Sequence, residues 1–176
     1  VTLQETYNDN IRMSRGAHDA VTGTILAPRL NLAARTATWQ LGSELRWRAA
    51  RYHGAEGLDA NDRTVNLYSQ VQTERSALQI SGGRARDSIL TGEVFDADTG
   101  LVKSQTFRST DSAYASWSWS MTEKDQLRLG YQFTDVAYED NAVAGLYDYT
   151  QRGPSLTLSH RLSERSQILL QANRSL

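Results

Sequence analysis

The 176-residue sequence contains no cysteine, which excludes a disulfide scaffold, a thiol nucleophile, and zinc-finger or iron–sulfur ligation. It also lacks a charge of one sign in excess. Nineteen Lys and Arg stand against 20 Asp and Glu, for a net charge of −1. So balanced a chain has no surplus of cations with which to displace counterions from nucleic acid, and no nucleic-acid partner is expected. Long hydrophobic runs are missing too. Ser112 to Thr122, in the most apolar part of the chain, is 11 residues without a charge, against the ~20 apolar residues of a spanning helix. The mean hydropathy of −0.54 reads, as an average, like that of a soluble protein. One class of membrane protein, which crosses with strands, also averages polar. Lysine is nearly absent, represented by Lys103 and Lys124 alone, and proline by two residues. The chain opens at Val1 without a basic-then-apolar leader, as expected of a mature chain or a portion of one.

What is present is period-2 alternation, the signature of strands with two unlike faces. Trp39, Leu41, Ser43, Leu45, Trp47 and Ala49 alternate with Gln40, Gly42, Glu44, Arg46 and Arg48. Val65, Leu67, Ser69, Val71 and Thr73 alternate with Asn66, Tyr68, Gln70 and Gln72. Ala113, Ala115, Trp117, Trp119 and Met121 oppose Ser112, Tyr114, Ser116, Ser118 and Ser120, and Leu127, Leu129, Tyr131 and Phe133 oppose Arg128, Gly130 and Gln132. Shorter versions occur at Leu30/Leu32/Ala34, Leu78/Ile80, Leu156/Leu158 and Ile168/Leu170/Ala172. The pattern predicts about nine strands of roughly 8 to 15 residues, within the reach of tilted membrane-crossing strands.

The connections alternate in length. Tight polar turns are predicted at Arg35-Thr36, Thr73-Glu74-Arg75-Ser76, Thr122-Glu123-Lys124-Asp125 and Ser163-Glu164-Arg165-Ser166, and three of these share the form [ST]-E-[RK]-[SD]. Between them fall long connections: Asn8 to Ala20, Tyr52 to Asp62, Ser88 to Thr110 and Glu139 to Leu146. Short turns recurring every ~40–50 residues mark a hairpin-sized quasi-repeat. The expected fold is therefore all-β, an up-and-down antiparallel transmembrane β-barrel forming one domain over residues 1–176. An odd count of nine strands, and a chain that stops at Leu176 inside a strand pattern, are expected of part of a larger, even-stranded barrel.

Two features favour lipid as the medium around the apolar face. Trp39 and Trp47 lie on one face eight residues apart, about 26 Å at ~3.3 Å per residue, near the ~25 Å between two interfacial aromatic girdles. Trp117, Trp119, Tyr131 and Phe133 complete the expected interface aromatics. The other face mixes Gln, Ser, Asn, Tyr and Gly with arginine, where a solvated outer face would be denser in Lys and Glu. Glu44, Arg46, Arg48, Arg128 and Gln132 are the lumen-lining candidates. Arg84 and Arg86 join them if Gly82-Gly83 forms a bulge that shifts the alternation. Several guanidinium groups in a lumen would attract anions; alternatively they pair with Glu44, Asp87 and other carboxylates and brace the wall.

Glu5-Thr6-Tyr7-Asn8-Asp9-Asn10-Ile11 resembles the first strand and loop of a group of Gram-negative outer-membrane β-barrel proteins. That group includes proteins associated with exosortase and exopolysaccharide loci, which begin with a similar E-x-Y-x-D-N-[IV] stretch. Leu26-Ala27-Pro28-Arg29-Leu30-Asn31-Leu32 is similar to their second strand, and the Ser163-Glu164-Arg165-Ser166 type of turn to their periplasmic hairpins. The resemblance implies an outer-membrane location, lipid and other envelope or secretion components as partners, and a pore or export conduit for polar or anionic solutes or polysaccharide. It carries over no catalytic residues. Such proteins usually end on an aromatic residue, which Leu176 is not.

Other chemistry is thinly represented. The chain has no G-x-S-x-G, no H-E-x-x-H and no phosphate-binding glycine loop, so neither catalysis nor a cofactor is expected. His18 and His53 lie near Asp19 and Asp59, which leaves an Asp–His dyad conceivable in the long connections, while His160 sits by a tight turn. Acidic groups at Asp59/Asn61/Asp62 and at Asp96/Asp98 have oxygen donors for Ca²⁺. Counting from Asp96, however, the twelfth position is Phe107 rather than the Glu of an EF-hand loop.

Overall fold

The computed structural model describes residues 1–8, 20–53, 59–90, 95–96, 100–101, 105–139 and 146–176. Among these the protein is all-β: β1 (Thr2–Asn8), β2 (Val21–Ala27), β3 (Arg29–Arg35), β4 (Trp39–His53), β5 (Ala60–Gln72), β6 (Ser76–Leu90), β7 (Phe95–Asp96), β8 (Gly100–Leu101), β9 (Gln105–Ser120), β10 (Asp125–Tyr138), β11 (Tyr149–Ser163) and β12 (Ser166–Asn173). Ten of them form one sheet in the order β1-β2-β4-β5-β6-β9-β10-β11-β12, with β3 also on β4; every pairing is antiparallel, and the order follows the chain apart from β3, β7 and β8. The short β7 and β8 pair only with each other, within the connection between β6 and β9. β1 and β12 are not paired, so the sheet is open rather than closed into a barrel.

β2 and β3 are one line of chain. Leu26 stands opposite Ala49 and Leu30 opposite Leu45, so the register runs through Pro28 without a shift, and the Trp47 N–H donates to the Pro28 carbonyl at 3.1 Å. Proline removes one ladder donor, a loss sheets tolerate at their edges. Pro28 sits where the edge begins, because β3 pairs with β4 alone. Ten segments thus give nine strand positions, as the alternation predicted.

The tight turns fall where expected, for a local reason. A hydroxyl at the head of each accepts a backbone N–H: Thr36 from Trp39 at 3.1 Å, Thr73 from Ser76 at 3.0 Å, Thr122 from Asp125 at 3.0 Å and Ser163 from Arg165 at 3.3 Å. This side-chain mimicry of a turn gives the [ST]-E-[RK]-[SD] motif its physical content. Two of the four long connections are shorter than predicted, since β4 continues to His53 and β5 starts at Ala60, and β6 continues to Leu90 and β9 starts at Gln105, whereas the one after β10 runs on to Tyr149. His18 and Asp98 lie outside the described residues.

Because partners across a ladder share a face, the register divides the sheet into two. On one face the apolar residues gather in a band and stay exposed: Leu32 is 56% exposed, Leu67 56%, Ile80 50% and Leu170 64%. The opposite face is polar, and the few buried apolar residues, Val21, Ala50, Ala60, Ile89 and Val136, belong to it near the long connections. Burial on this side makes the polar face the sheltered one.

The apolar band runs obliquely to the strands. It covers Leu26 to Ala34 on β2 and β3, Trp39 to Trp47 on β4, Leu78 and Ile80 on β6, Leu127 to Phe133 on β10, and Ile168 to Ala172 on β12. The row through Leu30 and Leu45 continues as Val65, Arg84, Asp111, Asp135 and Thr150, apolar at one end and charged at the other. The row that ends at Leu158 and Leu170 meets the tight turn at Thr73-Ser76 instead. The band drifts by about one residue per strand, which at ~3.3 Å along and ~4.8 Å between strands is an angle of roughly 35°.

Candidate functional site

The polar face is built in rows set by the hydrogen-bond ladder. One row reads Gln40, Gln70, Gln79, Ser116; the next reads Gly42, Tyr68, Ser81, Tyr114, Gln132; the third reads Glu44, Asn66, Gly83, Ser112, Thr134. Two of the glycines have a packing reason. A Cβ on Gly42 would collide with the Tyr68 ring, and one on Gly83 with the Asn66 side chain, so each lets its cross-strand partner lie flat over the backbone. The result is a groove along the sheet, lined by Asn66, Tyr68, Ser81, Ser112, Tyr114 and Gln132. Leu169 is an exposed apolar exception on this face.

Arginine outnumbers carboxylate here. Among the described strands, Arg29, Arg35, Arg46, Arg48, Arg108, Arg128 and Arg161 share the face with Glu44, Asp62 and Asp87. Glu44 is held by Arg46 at 2.6 Å and also by Arg29. Arg48 pairs with Asp62 at 2.8 Å directly across the ladder, and Asp62 accepts two further bonds of 2.7 Å from the Ser88 N–H and hydroxyl. Arg108 pairs with Asp87, again directly opposite, at 2.6 Å. The side chains of Arg35, Arg128 and Arg161 have no hydrogen bond or ion pair among the described residues.

Of the lumen candidates, Glu44, Arg46, Arg48, Arg128 and Gln132 share this polar face. Arg84 and Arg86 do not: they belong to the apolar face, in its charged outer part. Gly82 and Gly83 carry no bulge. Leu67 pairs with Gly82, Asn66 with Gly83 and Val65 with Arg84, while Ala113, Ser112 and Asp111 pair with the same three on the other side. An extra residue here would have to break two ladders at once, and bulges concentrate at edges instead. Arg84 lies 3.5 Å from Asp111, and Arg86 lies 2.5 Å from Glu139 and 4.6 Å from the Phe107 ring.

The six aromatics, Trp39, Trp47, Trp117, Trp119, Tyr131 and Phe133, all fall on the apolar face. Trp39 and Trp119 lie toward the tight turns and Trp47 and Phe133 toward the long connections. Tyr131 and Trp117 are within the band, Trp117 stacked on Trp119 with 6.0 Å between ring centres.

Arg108 escaped the sequence pattern because its stretch reads as connection; so did Arg29, whose position beside Pro28 reads as a break. The i, i+2 spacing of Glu44 and Arg46 was a usable signal, whereas Asp62 and Asp87 became partners only through register. Asp59 and Asp62 are engaged by Arg51 and Arg48, and among the described residues no cluster of three metal-ligating side chains forms. His160 Nδ1 is 2.6 Å from Asp125, at a tight turn. No protein-family model matches the sequence, and neither a curated protein nor a solved structure matches it.

Proposed function

We propose that this chain forms a wall of an outer-membrane β-barrel, with the apolar band toward lipid and the polar, arginine-rich face toward a lumen that conducts polar and anionic solutes. One observation carries the reading: an apolar band left exposed and crossing the strands at roughly 35°, within the tilt range of membrane barrels. A band level in a bilayer has to be oblique to tilted strands, whereas a soluble sandwich covers its apolar face with a second sheet. Closure requires partners for the β1 and β12 edges, since a barrel abolishes edges. The resemblance of Glu5 to Ile11 to envelope barrels of exopolysaccharide loci adds polysaccharide to the solutes considered, as an analogy.

A second reading, a structural or adhesion barrel with a filled lumen, is favoured by the ion pairs of Glu44, Asp62 and Asp87, which spend most of the nearby arginine charge on bracing the wall. Planar-bilayer conductance separates the two. A conduit gives discrete, anion-preferring steps; silence from a folded, inserted barrel sinks it in favour of the structural reading. Under the conduit reading the unpaired Arg35, Arg128 and Arg161 set the preference, so R35Q/R128Q is expected to lower the anion-to-cation permeability ratio several-fold.

A further inference from the structure

We propose that the apolar face carries a binding site for the phosphate group of a membrane lipid, centred on Arg63, with the lipid's acyl chain in the groove beside it. This rests on the membrane reading above. Pro28, Leu30, Leu45, Trp47 and Val65 line a shallow apolar groove across β2/β3, β4 and β5, and Arg63 stands at its outer end. The Arg63 side chain is exposed and has no hydrogen bond or ion pair among the described residues. It is paired across the ladder with Arg86, and Arg84 is one row away on the same strand as Arg86. Arg86 is already answered by Glu139 at 2.5 Å, so Arg63 is the member of this cross-strand pair whose charge is left without a carboxylate among the described residues. The carboxylates of this outer part are engaged elsewhere: Asp59 by Arg51, Asp111 by Arg84, Glu139 by Arg86, and Asp135 bonded to Thr150 at 2.5 Å. None reaches Arg63 among the described residues.

The neighbours set the depth of the site. The Trp47 indole N–H donates to Asn61, one row farther from the band, so its ring edge lies where apolar gives way to polar. A lipid seated here places its chain on Leu30, Leu45 and Val65 and its phosphate level with Trp47, within reach of a guanidinium fork suited to phosphate oxygens. A zwitterionic headgroup brings its own cation up beside the unpaired Arg63, whereas an anionic phosphate headgroup brings none. The occupant is therefore an anionic, phosphate-bearing lipid of the leaflet on the side of the long connections.

The test uses the chain folded into phosphatidylcholine nanodiscs with a minor fraction of diphosphorylated lipid A, measuring the lipid retained on extraction by mass spectrometry. The expected result is enrichment of lipid A over its bulk fraction by roughly fivefold per engaged arginine. That enrichment is lost in R63Q, kept in part in R63K, and insensitive to excess inorganic phosphate. Equal retention by wild type and R63Q overturns the proposal, as does displacement by inorganic phosphate alone. Protease protection in pure phosphatidylcholine discs keeps the two readings distinguishable. Protection without enrichment removes the lipid site only, and no protection removes the membrane reading along with it. R63Q is expected to leave any conductance unchanged.

Discussion

At the scale of single residues, the polar face is organised by saturating carboxylates. Asp62 takes Arg48 and two bonds from Ser88, all at 2.7–2.8 Å, with a side chain only 18% exposed. Removing it orphans Arg48 and the Ser88 donors together. D62A is expected to lower stability by about 1–3 kcal/mol, read from the midpoint of urea unfolding monitored by tryptophan fluorescence. Asp125 is the corresponding residue at a tight turn, beyond the apolar band. The Thr122 hydroxyl, and after it His160, holds its carboxyl below the ordinary aspartate range. A depressed pKa contributes stability that is present above the unfolded value and is lost as pH falls through the folded one. Acidification is therefore expected to loosen this hairpin, and D125N to flatten that acid limb in a pH series of thermal unfolding.

At the scale of elements, each tight hairpin depends on one hydroxyl that stands in for a backbone acceptor. Thr73 and Thr122 are exposed, so solvent competes for their bonds, although Thr122 also donates to the Asp125 carboxylate. T73V and T122V are each expected to cost about 1 kcal/mol in unfolding free energy, and their double variant the sum, because the turns share no partner. The hairpins, their order and their alternating connections were legible in the sequence because turn chemistry and period-2 alternation are local properties. The ends of β4, β6 and β9 were less so. Their outer residues, such as Arg108 and Ser109, are polar on both faces, and the ladder rather than the pattern carries the strand onward.

At the scale of the whole molecule, the decisive feature is an apolar band against which none of the described residues packs. Ile80, half exposed at its centre, tells water from lipid. In water an arginine there is close to neutral, as at any exposed strand site. In a bilayer it costs roughly 2–4 kcal/mol at the midplane. I80R is therefore expected to reduce folding into phosphatidylcholine vesicles, measured by protease protection, while Q79R, its neighbour on the polar face, does not. Equal insertion of both variants would count against the lipid assignment.

The sequence by itself determined the strands, the turns and the division into an apolar and a polar face, since each follows from side-chain parity and turn chemistry within a few residues of chain. It also placed Glu44, Arg46, Arg48, Arg128 and Gln132 together. Tertiary structure alone decided the rest: that Arg84 and Arg86 belong to the apolar face, that Asp62 and Asp87 answer Arg48 and Arg108, and that the band is oblique. Those facts depend on register, and register is fixed between strands. The alternation along β6 is identical whether or not Gly82-Gly83 bulges; only the unbroken ladders with β5 and β9 settle which way its arginines point.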